Sequence, residues 1–323
     1  LNSDSFAKIY GPDEQRDVAQ LVELIAPPQS AESVHTMPAI LAKVDVLLSG
    51  WGCPQLDAAF LATVPNLKAV FYGAGSIKEI VTDAFWNKGI PITSSYTANA
   101  VPVTEYTLSQ ILFCLKRGWQ HALTIKRDQR YSDRMEVPGA YGSTVGIVSL
   151  GMIGRMVCRQ LQNFDLHLLA YDPYARAEDI VGMEVEICSL EEVFRRSDVV
   201  SLHTPWLSET EGMITGEHFS MMKEGATFIN TARGAIVREE EMVEVLQRRP
   251  DLFALLDVTW PEPPIAGSPL YTLENVVITP HIAGSLDDEC RRMGRIVVDE
   301  LRRFVNGEPL LWSIGREQAA IMA

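Results

Sequence analysis

The 323-residue sequence predicts an α/β fold of two doubly wound domains, the larger inserted into the smaller. Three observations carry this reading. Short apolar runs alternate with helical stretches between residues 145 and 279, the pattern of a parallel sheet covered on both faces. The first third repeats that style on a smaller scale. Two long helical stretches, Val103–Lys126 and Leu286–Asn306, flank the larger region, where the chain would leave and re-enter the smaller domain.

In chain order, the smaller domain offers strands at Leu21–Ala26, Val46–Ser49, Lys68–Tyr72 and Pro91–Thr93. Only Ala7–Tyr10 can supply a strand ahead of them. The larger domain opens on the buried strand Val145–Leu150, followed by helix Arg155–Asn163 and strand Leu168–Tyr171. A short strand near Met183–Glu186, helix Leu190–Arg196 and strand Val199–Leu202 come next. Helix Glu217–Met222, strand Thr227–Asn230, helix Glu239–Gln247 and strands Phe253–Asp257 and Val276–Thr279 complete it. The expected boundaries are 1–102 with 287–323 for a flavodoxin-like smaller domain, and 103–286 for a Rossmann domain.

Composition narrows the function. The chain is 47% hydrophobic and 22% charged, ordinary for a globular protein. A net charge of −14 repels phosphate backbones and anionic membranes, so neither nucleic acid nor a membrane is an expected partner. The cysteines Cys53, Cys114, Cys158, Cys188 and Cys290 are odd in number and lack a CxxC pair, which argues against a disulfide framework and a metal site. With no membrane-length apolar run and no signal-like opening, the expected location is the cytoplasm.

After the strand at Val145 comes Ser149-Leu-Gly151-Met152-Ile153-Gly154, opening a helix. This is a dinucleotide fingerprint with Ser in the first glycine position. The middle glycine admits the pyrophosphate, the last permits close helix–strand packing, and the helix N-terminus faces the anion. Eighteen residues past Gly154, a second strand ends at Asp172. A carboxylate there accepts bonds from ribose hydroxyls and repels a 2′-phosphate, favouring NAD over NADP. The nearby Arg176 pulls the other way. If the first position needs positive φ, Ser149 carries a steric cost that glycine does not.

Three further segments put a reactive side chain just past a strand end, where open α/β sheets hold ligands. They are Asn230-Thr-Ala-Arg233-Gly234, Asp257-Val-Thr-Trp-Pro-Glu262-Pro and Thr279-Pro-His281-Ile-Ala-Gly284. Taken singly, each has a bland alternative: a helix start for Arg233, a solvated loop for Glu262, a structural hydrogen bond for His281. Their joint order after successive strands favours chemistry.

This order and spacing resembles the D-isomer-specific 2-hydroxyacid dehydrogenase family. The likeness extends to Gly73-Ala74-Gly75-Ser76 and to Asn99-Ala-Val-Pro-Val-Thr-Glu105. It implies Arg233, Glu262 and His281 as the catalytic set. It implies Gly73–Ser76 as the cradle of the substrate carboxylate and Asp257 as a contact of the nicotinamide amide. Thr204, Pro205, Thr231, Ala232 and Gly284 would lie along the cofactor with Gly151–Gly154 and Asp172. Trp51, just after the Val46–Ser49 strand, is placed by its position at the substrate mouth, with core packing as the alternative. A homodimer is implied by the same likeness, with the segment 103–142 embracing the neighbour. Glu262 argues against the formate-oxidising branch, where glutamine stands.

The chemistry suits these types. Reducing a 2-oxo acid needs hydride on carbon and a proton on oxygen, and histidine exchanges protons near neutrality. A carboxylate beside it favours the imidazolium and orients the ring. Arginine holds a carboxylate and polarises the reacting carbonyl. Glyoxylate, hydroxypyruvate and 3-phosphoglycerate are the expected kinds of substrate. The alternatives are an NAD(H)-sensing binding protein, resembling the family's corepressor, and a relative whose cofactor site Ser149 has spoiled.

Overall fold

The computed structural model describes residues 3–322. Backbone contacts divide them into two units: the residues up to Pro102 with Ser285–Met322, and Val103–Gly284.

The first unit is built on a three-stranded parallel sheet, β1 (Val46–Ser49), β2 (Ala69–Tyr72) and β3 (Ile92–Ser94), in that order. Two expected strands are absent from it. Ala7–Tyr10 falls mostly in the helix Ser3–Ile9, because Phe6, Ile9 and Tyr10 recur at helical spacing and pack with Met293, Val297 and Val298. Leu21 closes the helix Pro12–Leu21, which opens on proline, and Leu24 and Ile25 are exposed, so that apolar run joins no sheet. The helix Arg291–Val305 follows a short turn at Asp287–Cys290. It approaches the first helix so closely that a Cβ at Gly294 would lie 1.9 Å from the carbonyl oxygen of Ile9.

The second unit holds seven parallel strands: β4 (Thr144–Val148), β5 (His167–Tyr171), β6 (Glu186–Ile187), β7 (Val199–Leu202), β8 (Thr227–Asn230), β9 (Phe253–Leu256) and β10 (Val276–Ile278). Their order is β10-β9-β8-β7-β4-β5-β6. Every residue of β7, β8 and β9 is buried, which explains their continuous apolar runs. One apolar layer centres on Phe194, Phe219 and Phe228, the other on Val157, Cys158 and Leu161. The helix Met152–Leu161 buries Gly154, Val157, Cys158 and Leu161, the i, i+3, i+4, i+7 spacing of a one-faced helix.

The long stretch expected at Val103–Lys126 is two helices, Tyr96–Leu115 and Gly118–Asp128. They are separated at Arg117, whose left-handed φ of 48° breaks the helical path.

Candidate active site

Strand order reverses around β4, which lies between β7 and β5, and such a reversal opens a crevice at the strands' carboxyl ends. The fingerprint Ser149–Gly154 occupies this place. Ser149 adopts φ 76°, the left-handed setting that glycine tolerates best. Its N–H donates to Tyr171 O at 2.7 Å, and its hydroxyl lies 2.9 Å from that of Thr204, just past β7. Gly151 caps the helix Met152–Leu161, and a Cβ there would meet nothing within 4 Å. Gly154 is the opposite case: its Cβ would lie 2.1 Å from Ser149 O. The two glycines therefore have different reasons, open approach at Gly151 and packing at Gly154.

Asp172 ends β5 and turns back on the fingerprint. Its carboxylate accepts from Leu150 N–H at 2.7 Å and from Tyr174 N–H at 2.8 Å. Met152 and Ile153 form the first turn of the helix behind Gly151. Thr204 is buried and Pro205 half-buried. Beside them His203 is fully buried against Ser201 Oγ at 3.0 Å, and burial pushes its imidazole down from 6.5 to about 4. These residues fit a dinucleotide: an open glycine at a helix N-terminus, and a carboxylate at the neighbouring strand end.

The adjacent strands β8, β9 and β10 carry the other three segments. Beyond β8, the Asn230 side chain braces the turn, accepting from Ala232 N–H at 2.9 Å and donating to Arg233 O at 3.1 Å. Arg233 is extended, and its Nη1 donates to Ala232 O at 2.6 Å. Thr231 lies 3.1 Å, hydroxyl to hydroxyl, from Thr107. A Cβ at Gly234 would fall 2.0 Å from the carbonyl carbon of Thr259, so this turn and the loop after β9 pass at backbone contact.

In that loop Glu262 Oε1 reaches Nδ1 of His281 at 2.7 Å. Both side chains are part-exposed. With Nδ1 engaged, Nε2 is the ring nitrogen left for proton exchange. His281 itself is held at φ 55°. Asp257, fully buried at the end of β9, accepts from Ile282 N–H at 2.8 Å and Ala283 N–H at 2.9 Å, and its carbonyl accepts from His281 N–H at 3.0 Å. Gly284 follows on the same segment, half-buried. Glu239 supports the Glu262 loop from behind, accepting from Trp260 N–H at 2.9 Å. Burial pushes its carboxyl up, against the pull of that N–H.

Within the second unit the fold thus joins Glu262 to His281 directly and locks the Arg233 turn against the loop that carries Glu262. Three supporting features escape sequence reading: the Asn230 brace, the Glu239 support and the pairing of Tyr106 with Thr279, hydroxyl to hydroxyl at 3.1 Å. Asn230 and Thr279 sit inside the motifs already singled out, while Tyr106 and Glu239 lie on helices with no local mark.

The first unit carries the remaining candidates. Gly73 N–H donates to Ser49 O at 2.8 Å, and its Cβ position is filled by Ile9, Tyr10 and Ser49. The Ala74 carbonyl accepts from Ser95 N–H at 3.0 Å and Ser94 Oγ at 3.1 Å, and the Gly75 carbonyl also accepts from Ser94 Oγ. Ser76 Oγ accepts from Lys78 N–H at 3.4 Å. The carbonyls of this turn are thereby tied down. Trp51 is half-buried and packs against two apolar clusters of this unit.

Residues 108–283, just over half of the chain, match the model of the D-isomer specific 2-hydroxyacid dehydrogenase NAD binding domain. An (S)-sulfolactate dehydrogenase of Chromohalobacter salexigens is 35% identical over 77% of this chain and 81% of its own length. A D-3-phosphoglycerate dehydrogenase of Methanocaldococcus jannaschii is 29% identical over 90% of this chain and 56% of its own. The chain spans about half the length of the phosphoglycerate relatives it matches. The holo form of Rhodotorula graminis D-mandelate dehydrogenase shares the fold, with a TM-score of 0.79 over 95% of this chain and 94% of that one at 23% identity. With a family model matching over half of its length and a relative 35% identical over 77% of it, the chain belongs to the D-isomer specific 2-hydroxyacid dehydrogenase family.

Proposed function

We propose that the protein is an NAD-dependent dehydrogenase that interconverts a small D-2-hydroxy acid and its 2-oxo acid. The observation that carries this is the Glu262–His281 pair at 2.7 Å, which follows the neighbouring strands β9 and β10, with Arg233 just past β8 on the other side of β9. In the reducing direction His281 gives a proton from Nε2 to the substrate's C2 oxygen, while Glu262 holds the imidazolium and the ring plane. Arg233 grips the acid and polarises the carbonyl. When bound, NADH supplies the hydride that C2 receives. Oxidation runs the same proton back onto His281.

Gly151 and the helix behind it would take the pyrophosphate and Asp172 the ribose hydroxyls. Thr204, Pro205, Thr231, Ala232, Asp257 and Gly284 would line the remainder. The three donors on Asp257 leave its carboxylate room for one further bond, as a nicotinamide amide requires. In the first unit, the N–H groups of Ala74, Gly75 and Ser76 are the proposed cradle for the substrate carboxylate, with Trp51 limiting substrate size. A homodimer is proposed on family likeness, and sedimentation at two concentrations tests it.

The test of activity is a panel of 2-oxo acids, glyoxylate, hydroxypyruvate and 3-phosphohydroxypyruvate among them, offered with NADH and with NADPH. Consumption of NADH ahead of NADPH is expected with at least one acid. Tight NADH binding without turnover on any acid would instead favour a nucleotide-sensing protein.

A further inference from the structure

His281 holds a left-handed backbone, a strained setting for a non-glycine residue that persists only where its surroundings over-determine it. Those surroundings converge on Asp257. Its carbonyl takes His281 N–H, its Oδ1 takes Ile282 N–H, and its Oδ2 takes Ala283 N–H. Oδ1 has one further partner, the Thr279 hydroxyl at 2.6 Å. A carboxylate only accepts, so Thr279 donates this bond and its oxygen is left to accept another. The hydroxyl of Tyr106 lies 3.1 Å away. The direction of both bonds is therefore fixed: Tyr106 O–H donates to Thr279 Oγ1, and Thr279 O–H donates to Asp257 Oδ1. Tyr106 stands on the helix Tyr96–Leu115, half-buried, and burial holds its phenol above the usual range, so it remains a donor.

We infer that Tyr106 and Thr279 are positioning residues for proton transfer, acting through the Asp257 carboxylate on the backbone of His281. Asp257 could rotate about its terminal torsion, which is broad for a carboxylate. The Thr279 bond, itself anchored by Tyr106, selects the rotation in which both oxygens meet the amides that follow His281. Loss of this hydrogen-bond relay lets the turn relax, and Nε2 drifts from the place where a substrate oxygen would meet it. This inference rests on the reading of His281 as the acid–base group.

Four variants test it: Tyr106→Phe, Thr279→Val, Thr279→Ser and the double Tyr106→Phe/Thr279→Val. Two readouts are taken. The first is the turnover rate for reduction of a 2-oxo acid, beside the affinity for NADH. The second is amide exchange of the 279–284 segment in the ligand-free protein, which needs no activity. Thr279→Val is expected to lower turnover about tenfold, with a much smaller loss of NADH affinity, because small misplacements of a reacting group are costly. It should also speed exchange at Ile282 and Ala283. Thr279→Ser should restore both, and the double variant should be no worse than Thr279→Val alone, since the relay is already cut. Independent, additive losses from the two substitutions, or unchanged exchange with full turnover in Thr279→Val, would overturn the inference. Should the wild type reduce no 2-oxo acid, the proposed activity fails, while the exchange comparison still decides whether the relay holds the turn. If Thr279→Val does not fold, Tyr106→Phe against wild type decides on the same two readouts.

Discussion

Glu262 and His281 stand nineteen residues apart in sequence, yet Oε1 of the first lies 2.7 Å from Nδ1 of the second. A carboxylate at that distance engages Nδ1, fixes the ring's orientation and leaves Nε2 for an exchanged proton. If the pair positions the proposed acid–base group, Glu262→Ala should lower turnover in both directions with NADH affinity near wild type, because small misplacements of a reacting group are costly. Rates of reduction and oxidation beside a fluorescence titration of NADH check this; unchanged turnover means the pair does not position the proton donor.

Arg233 contributes a fixed charge, which in comparable sites is worth a few kcal/mol to the transition state. Arg233→Gln is expected to lower kcat/KM about 10²–10³-fold. NADH affinity, followed by fluorescence titration, should stay near wild type.

The two fingerprint glycines separate cofactor binding from folding. A methyl at Gly151 meets open space, whereas one at Gly154 meets the Ser149 carbonyl at 2.1 Å. Gly151→Ala should keep its melting temperature and lose NADH affinity. Gly154→Ala should lose stability outright. Thermal melts with and without NADH distinguish the two.

Ser149 combines a left-handed backbone with a buried hydroxyl bond to Thr204. Ser149→Gly removes about 1–2 kcal/mol of strain and a bond worth about 1 kcal/mol, so stability should change little. Ser149→Ala keeps the strain and loses the bond, and should destabilise by about 1 kcal/mol. Urea unfolding of both variants makes the comparison.

Burial lowers the His203 imidazole from 6.5 to about 4 in the folded chain. As pH falls from 6.5, the unfolded chain therefore takes the proton first. The unfolded state binds more protons in that window, so stability drops as pH falls through it. Below pH 4 the loss from this group reaches about 3 kcal/mol. His203→Asn should flatten the slope between pH 6.5 and 4 in denaturant titrations.

Most of the second unit was legible because strands such as β4, β7 and β9 are buried on both faces and read as apolar runs between helices, whereas the edge strand β6, two exposed residues at Glu186–Ile187, lies past the expected Met183–Glu186 because no burial marks it. Arg233, Glu262 and His281 were legible for a related reason, since each follows such a run. The first unit hid more. Ile9 and Tyr10 look the same in a strand as in a short helix, and only their packing against Met293 and Val297 decides between them. The apolar Leu24 and Ile25 mimic a strand although they stay exposed. Tyr106 reaches the site from a helix far off in sequence and Glu239 from the helix after the Arg233 turn, and no local pattern marks a partner that only the folded chain supplies.

Gly234 leaves no gap between its own turn and the Thr259 backbone. An insertion into either loop would have to force main chain away from main chain rather than displace a side chain. Changes at these two turns are therefore better tolerated as exchanges of side chains than as added length. A designer who redraws either loop meets the same restriction, and does better to exchange side chains there than to add residues.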